Sequence, residues 1–367
     1  MNTSFVKFSR SAGTDFYQTV KTRVNDYFES KNLSRHSNAA MVVKTITLIL
    51  AYLVPYFLIV TQVVTNSWII LSLWVLMGLG MAGVGFNVMH DANHGAYSRH
   101  AWVNWVLGRF LNLLGGNALN WKIQHNVLHH SFTNIEGLDE DIEVGPYLRF
   151  SPHQPWYKHH RYQHIYGWFL YSLLTFLWIT DKEFKQAIKW KKTGVIESQG
   201  RTFRGMIIEL AISKAFYFAF ILVIPLIFSA SAWWMTLLFF AIMHLIAGFI
   251  SSVVFQPAHV ISNAEFPLPD ETGTMENTWA IHQLATTCDF APKNKWLSWY
   301  IGGLNFQIEH HLFPNVCHIH YKDISKIVKE TAKEFGLPYH VHPSFRSAIW
   351  HHIKLLRQFG KKPQLAI

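Results

Sequence analysis

The chemistry open to this chain is concentrated in three short histidine groups. They are His90-Asp91-Ala92-Asn93-His94, His125-Asn126-Val127-Leu128-His129-His130 and Gln307-Ile308-Glu309-His310-His311. His90 and His94 stand four residues apart, as do His125 and His129, so each pair falls on one face of a helix. Gln307, His310 and His311 follow the i, i+3, i+4 spacing of the same geometry. Neutral imidazole binds iron, zinc and copper, and seven of them in three helical groups suit a polynuclear metal site. The chain has 22 histidines, so a lone His-x-x-x-His would more often be a surface pair. Three such groups, each beside an apolar segment and each flanked by Asp, Asn or Glu, carry more weight. Asp91, Asn93, Asn126 and Glu309 are placed to hold imidazole tautomers from outside the ligand set.

The elements that position these groups are mostly apolar. Half of the 367 residues are hydrophobic and only 15% are charged. Mean hydropathy is +0.12 and the isoelectric point about 9.4. That balance fits a polytopic, all-α membrane protein with a sizeable polar part. The net charge of +10 comes with long apolar runs and no nucleic-acid motif. It therefore points to a basic face meeting anionic lipid or an acidic protein, and away from nucleic acid. The two cysteines, Cys288 and Cys317, offer no disulfide framework. The first 40 residues are polar and charged, so no signal peptide is expected there.

Residues 1–41 read as a cytosolic amphipathic segment, with Phe16, Val20, Val24 and Phe28 recurring every fourth position. Such a helix fits either a membrane surface or the polar body of the protein. Residues 42–367 read as the membrane domain. Apolar stretches 42–64 and 67–89 form one hairpin, and 206–229 and 232–256 a second. At ~1.5 Å per residue, each can cross a hydrocarbon core of ~30 Å. Residues 101–119 are interrupted by Arg109, Asn112, Gly115 and Gly116, which suits an interfacial or re-entrant segment. Residues 165–180 are short, and a span there would put the basic stretch 181–205 on the wrong side. The hairpin tips, 65–66 and 229–231, contain no Lys or Arg. Four spans thus leave both termini, all three histidine groups and a helical cap of 90–205 and 257–367 in the cytoplasm. Lys214 is expected to snorkel toward that face, and His244 to be a hydrogen-bonded helix contact. The glycines at 78, 80, 83 and 85 permit close helix packing or wall an apolar channel.

His90 closes the second span and His259 follows the fourth, so the topology brings both to one membrane level. Eight imidazoles exceed what one ion takes and fit two. Neutral histidine ligands with open positions suit dioxygen activation by iron better than structural zinc. The implied chemistry is oxidation of an unactivated C–H bond in a lipid chain. His153, His159, His160, His164, His318 and His320 read as surface or supporting groups. Asp139 and Asp141 are placed to orient imidazoles.

The stretches HDANHG, WKIQHNVLHH followed by SFTNIEGLDED, and GGLNFQIEHHLFP resemble the membrane fatty acid desaturases over roughly residues 80–330. The third motif, opening on Gln307 where other desaturases have histidine, is similar to that of the front-end group. That group inserts a double bond between an existing one and the carboxyl end. The resemblance implies an oxygen-dependent di-iron enzyme with His90, His94, His125, His129, His130, His310 and His311 as ligands. The family's lone histidine past the last span matches His259. Gln307 becomes a weak or outer ligand, with Asp91, Asn126, Asp141 and Glu309 around the site. Phe255 stands where relatives place an asparagine four residues before that histidine. No His-Pro-Gly-Gly haem motif occurs, so electrons are expected from a separate ferredoxin or small haem cytochrome, to which a basic face is complementary.

The same scaffold serves sphingolipid long-chain-base desaturases and lipid hydroxylases or ketolases. Product mass separates the chemistries, because desaturation removes two hydrogens and hydroxylation adds oxygen. A metal transporter would need more polar residues at mid-membrane than Lys214 and His244.

Overall fold

The structure, a computed structural model, describes residues 6–10 and 14–363; the remainder of the expected 1–41 segment lies outside the described residues. The described chain is mainly helical. Its principal helices begin with α1 (Thr14–Ser30), α2 (Ala39–Val60), α3 (Ser67–Asn93), α4 (Ala101–Gly108) and α5 (118–132). The middle of the chain forms α6 (Gln163–Ser172), α7 (Leu174–Ile179), α8 (Lys182–Thr193), α9 (Phe203–Phe228) and α10 (Trp233–His259). The last third adds α11 (Trp279–Thr286), α12 (Gln307–Leu312), α13 (Tyr321–Glu334) and α14 (Phe345–Phe359). Four short strands form two parallel pairs: β1 (Lys7–Phe8) with β2 (Thr274–Met275), and β3 (Cys288–Phe290) with β4 (His340–His342).

Among the described residues, α2, α3, α9 and α10 are long and apolar enough to cross a membrane. Hydropathy placed the ends of the second and fourth spans at 89 and 256. The helices run on to Asn93 and His259. Hydropathy marks where lipid contact stops, whereas backbone hydrogen bonding continues, so His90 and His259 sit inside the last turns. The segment at 165–180 is two short helices, α6 and α7, and no span.

The chain forms two compact units, with boundaries just before α2 and within α5, α6 and α10. The membrane unit comprises 37–122 and 169–252. Asn38 caps α2 by accepting from the Met41 N–H at 3.0 Å, and Asn66 caps α3 by accepting from Trp68 and Ile69. Leu48, Tyr52, Tyr56 and Ile59 of α2 pack with Ile70, Trp74, Met77 and Met81 of α3. The opposite face of α2 is apolar yet open, with Val43 63% and Phe57 51% exposed, as a lipid-facing surface requires. A Cβ on Gly80 would lie 2.9 Å from the Tyr52 backbone nitrogen, and one on Gly78 2.8 Å from the Met243 carbonyl. These two glycines are therefore packing positions. Lys214 does not snorkel. It is buried and holds the Gly115 and Trp178 carbonyls, each at 2.6 Å, and the Glu183 carboxylate. The Glu183 carboxylate on α8 and the two carbonyls compensate the burial of this charge. His244 bonds Tyr217 at 2.6 Å and Thr175 at 3.0 Å, a helix contact as expected.

The second unit comprises 1–36, 123–168 and 253–367. Phe16, Val20, Val24 and Phe28 of α1 are 0–3% exposed and pack with Leu312, Phe313, Ile324 and Val328. Of the two dispositions open to this helix, it takes the body of the protein. Arg23 pairs with Glu334 across the same contact at 2.7 Å.

Candidate metal centre

Helix α5 carries the second histidine group, and residues 122–129 within it wind as a π-helix. Hydrogen bonds running i→i+5 bring position i+5 beneath position i. His125 and His130 therefore converge, with their Nε2 atoms 3.2 Å apart. Simple i,i+4 reasoning assigns that face to His129 alone. From α12, His310 brings its Nε2 to 2.9 Å from His130 and 3.4 Å from His125. Two metal–nitrogen bonds of ~2.1 Å at right angles separate their nitrogens by ~3 Å. These three nitrogens have the spacing of ligands around one cation. Two residues in left-handed backbone, Gly302 at φ 63° and Gly303 at φ 64°, turn the chain toward α12.

His129, His259 and His311 make a second set, their ligand atoms all within 4.8 Å of one another. Each has an orienting partner. His129 Nδ1 lies 3.1 Å from both oxygens of Asp139, which itself accepts from the Asn134 N–H at 2.8 Å and the Asp141 N–H at 3.0 Å. A carboxylate on Nδ1–H directs Nε2 to a metal. His311 Nδ1 stands 2.8 Å from Gln283 Oε1, which also accepts from the Thr133 hydroxyl at 2.9 Å. His259 Nδ1 faces the Thr286 carbonyl at 3.3 Å. Its Nε2 has no hydrogen-bond partner among the described residues, although the residue is buried. Such an atom costs about 1–3 kcal/mol unless something meets it, and a cation would. Burial disfavours imidazolium at His129, but Asp139 and Asp141 outweigh it and push the pKa up to about 9. Burial and the neighbouring His129 push His259 the other way, down to about 3, so its ring is neutral and able to ligate. The donor set, the nitrogen spacing and the orphaned ring atom all fit metal binding.

His90 and His94 belong to the membrane unit, at the end of α3. Their rings lie 4.8 Å apart, and each packs 5.5 Å from Trp121. Asp91 is buried, its carboxylate 3.9 Å from His90 Nδ1. Asn93 donates to the Gly108 carbonyl at 3.2 Å. Asp141 approaches His129 Nδ1 at 3.4 Å and receives the Gln124 amide. Asn126 is half-buried beside His125 on the π turn.

Glu309 faces away from the imidazoles. The Tyr339 hydroxyl lies 3.0 Å from its Oε1 and 2.8 Å from Asp289 Oδ2, while Asp289 Oδ1 accepts from the Ile308 N–H at 3.0 Å. One hydroxyl hydrogen cannot satisfy two carboxylates. Burial and the charge of Asp289 raise Glu309 well above the usual carboxylate range. Burial raises Asp289 to about 6. This braces the start of α12, and the Gln307 side-chain nitrogen there has no partner among the described residues. Tyr339 and Gln283 escaped sequence reading because neither lies in a motif, and Thr133, although within SFTNIEGLDED, carries no charge or ligand group to mark it. Other histidines bond backbone: His153 the Phe266 carbonyl at 2.7 Å, His159 and His160 the Pro146 carbonyl at 2.7 and 2.8 Å.

Four membrane-length helices and buried histidine clusters able to hold metal define a helical membrane protein with a polyhistidine centre. The family model for fatty acid desaturase matches residues 66–343. The chain is 38% identical over 363 residues to an sn-1 linoleoyl-lipid 6-desaturase of Arthrospira platensis, covering 99% of this chain and 96% of that one. It is 33% identical to an enzyme of the same name from Synechocystis sp., with 97% and 98% covered. An acyl-lipid (8-3)-desaturase of Physcomitrium patens is 34% identical, with 97% of this chain and 74% of the relative covered. The chain belongs to the fatty acid desaturase family, in the front-end type that the Gln307-x-x-His310-His311 motif marks, and is an oxidoreductase.

Proposed function

We propose that this protein inserts a double bond into a fatty acyl chain carried on a membrane lipid, on the carboxyl side of an existing one. The observation that carries the reading is the gathering of His125, His130 and His310 and of His129, His259 and His311 into two sets of ring nitrogens. The relatives named as acyl-lipid and linoleoyl-lipid desaturases favour a lipid over a coenzyme A carrier. The ligands of the proposed centre are these six with His90 and His94, and the metal is iron. Iron held by these histidines would, with dioxygen, supply the oxidising power for removal of two hydrogens from adjacent carbons; two electrons from a separate ferredoxin or small haem cytochrome, with two protons, would complete reduction of the oxygen to two waters.

The chain's own residues prepare that chemistry. Asp139 fixes the His129 tautomer, and Gln283 does the same for His311. Asp289, Tyr339 and Glu309 hold the turn from which His310 and His311 project. Burial of every cluster imidazole of the second unit keeps bulk water from the reacting chain. Both termini and the 90–205 segment are cytoplasmic in this proposal, with 1–41 a cytosolic segment and 42–367 the desaturase domain.

Expression in a host of simple lipid composition, followed by fatty acid profiling, tests the reading. The expected product is two mass units lighter than its precursor, a number set by the two hydrogens lost in desaturation. His129→Ala and His310→Ala are expected to insert normally, bind less iron and form no product. Product gain of oxygen, or near-normal turnover in either variant, would sink the assignment.

A further inference from the structure

On the second unit, away from any histidine motif, α14 ends against the segment 149–163. The Arg149 guanidinium donates to the Phe359 carbonyl at 2.9 Å, Gln163 to the Leu356 carbonyl at 2.8 Å, and the Trp156 indole to the Gly360 carbonyl at 2.8 Å. Gly360 packs so tightly that a Cβ there would lie 2.4 Å from the His160 carbonyl oxygen. Beside this pinned junction lies an open hollow of about 490 Å³ lined by Trp156, Lys158, Arg161, Tyr162, Gly360, Lys361 and Lys362. Its size falls in the range of small-ligand sites.

Four of the seven lining residues are cations, and none is acidic. All four are exposed, and Arg161 lies over the Tyr162 ring, 5.6 Å from its centroid. Four like charges around one hollow repel unless an anion joins them. Lys and Arg donors on flexible stems around a concave site suit phosphate, which accepts several charge-assisted hydrogen bonds at once. The surroundings point to the source of that phosphate. Tyr162 is 54% exposed and Ile165, three residues on along the same helical face, 64%. An aromatic ring and an open aliphatic side chain next to a cationic hollow make the pattern of a membrane interface.

We propose that this hollow binds the headgroup phosphate of an anionic phospholipid, holding the second unit to the membrane surface. The site stands apart from the desaturation chemistry and does not depend on it. Two plainer readings compete. Lys361 and Lys362 follow the C-terminus of α14, where cations are favoured by the helix dipole. Lys158 and Arg161 could simply enforce topology. Neither reading produces saturable, headgroup-selective lipid binding.

The test uses the full chain purified in detergent, titrated with dioctanoyl phosphatidylglycerol and followed by native mass spectrometry. One tightly bound lipid per chain is expected. Its affinity should fall about tenfold or more in Lys158→Ala/Arg161→Ala and in Lys361→Ala/Lys362→Ala, at ~1 kcal/mol per cation near a lipid surface. Lys354→Ala, on α14 but over the Trp350 ring, should bind as the parent does. Dioctanoyl phosphatidylcholine and inorganic phosphate should compete poorly. Unchanged affinity in both double variants overturns the site. Equal competition by phosphatidylcholine would reduce it to apolar adhesion, and equal competition by inorganic phosphate would make it a free-phosphate site. Lys361 and Lys362 lie beyond the last helix, so their variant keeps the fold and decides the matter should the other double variant unfold.

Discussion

Single residues outside the ligand set govern how the imidazoles are presented. Asp139 is fully buried and spends both oxygens on the Nδ1 of His129 and on two backbone N–H groups. Asp139→Asn keeps the shape but can present an amide where a carboxylate held the proton. Metal content and turnover should drop together by roughly 10–100-fold, the usual effect of losing such a partner, with little change in membrane insertion. Metal analysis of the purified variant checks this, and full occupancy with full activity would count against the orienting role. Tyr339→Phe removes the hydroxyl between Asp289 and Glu309 and leaves buried carboxyl atoms short of a partner. A loss of roughly 1–3 kcal/mol is expected, seen as a lower unfolding temperature in detergent. An unfolding temperature equal to the parent's would show that the brace is dispensable. Asp139 was legible in the sequence because it follows the second motif at close range. Tyr339 was not, since it reaches the site only through the β3–β4 pairing, a contact over some fifty positions with no local signature.

At the level of elements, the four spans and the amphipathic α1 could be read from period and hydropathy, because both record which face meets water or lipid. The π turn in α5 could not. Its sequence has the i,i+4 spacing of an ordinary helix, and only tertiary contact selects the wider turn that aligns His125 with His130. The glycines of α3 show the same limit: sequence allows both packing and a channel wall, and geometry separates them position by position. Gly80→Leu would drive its side chain into the α2 backbone and should abolish folded expression. A Cβ on Gly85 meets nothing within 4 Å, and its backbone is right-handed at φ −52°. Gly85→Ala should therefore fold and gain up to ~1 kcal/mol from helix propensity. Thermal unfolding of the two variants in one detergent provides the comparison. A well-folded Gly80→Leu would mean that α2 and α3 are less closely packed than described.

For the molecule as a whole, the proposed four-span topology makes a claim about sides. The Gln62 amide donates to the Phe228 carbonyl at 3.0 Å, so the α2 end of the first tip and the α9 end of the second lie together in the membrane unit. Both tips lack Lys and Arg, whereas α8 and its flanks carry Lys182, Lys185, Lys189, Lys191, Lys192, Arg201 and Arg204. Cationic loops are retained in the cytoplasm. An even number of spans then returns each terminus to the side from which the first helix left. The two native cysteines are buried and should not react with an impermeant thiol reagent. New cysteines can thus be read against a silent background. Asn66→Cys and Ala230→Cys, both at exposed tip positions, should label in intact cells, and Trp190→Cys should not. Trp190 is itself buried, so Lys192→Cys, on the exposed face of α8, is the stronger inside probe. It should react only after the membrane is permeabilised. Labelling of Lys192→Cys in intact cells would reverse the sidedness, and with it the proposed cytoplasmic placement of the histidine clusters and of any electron donor.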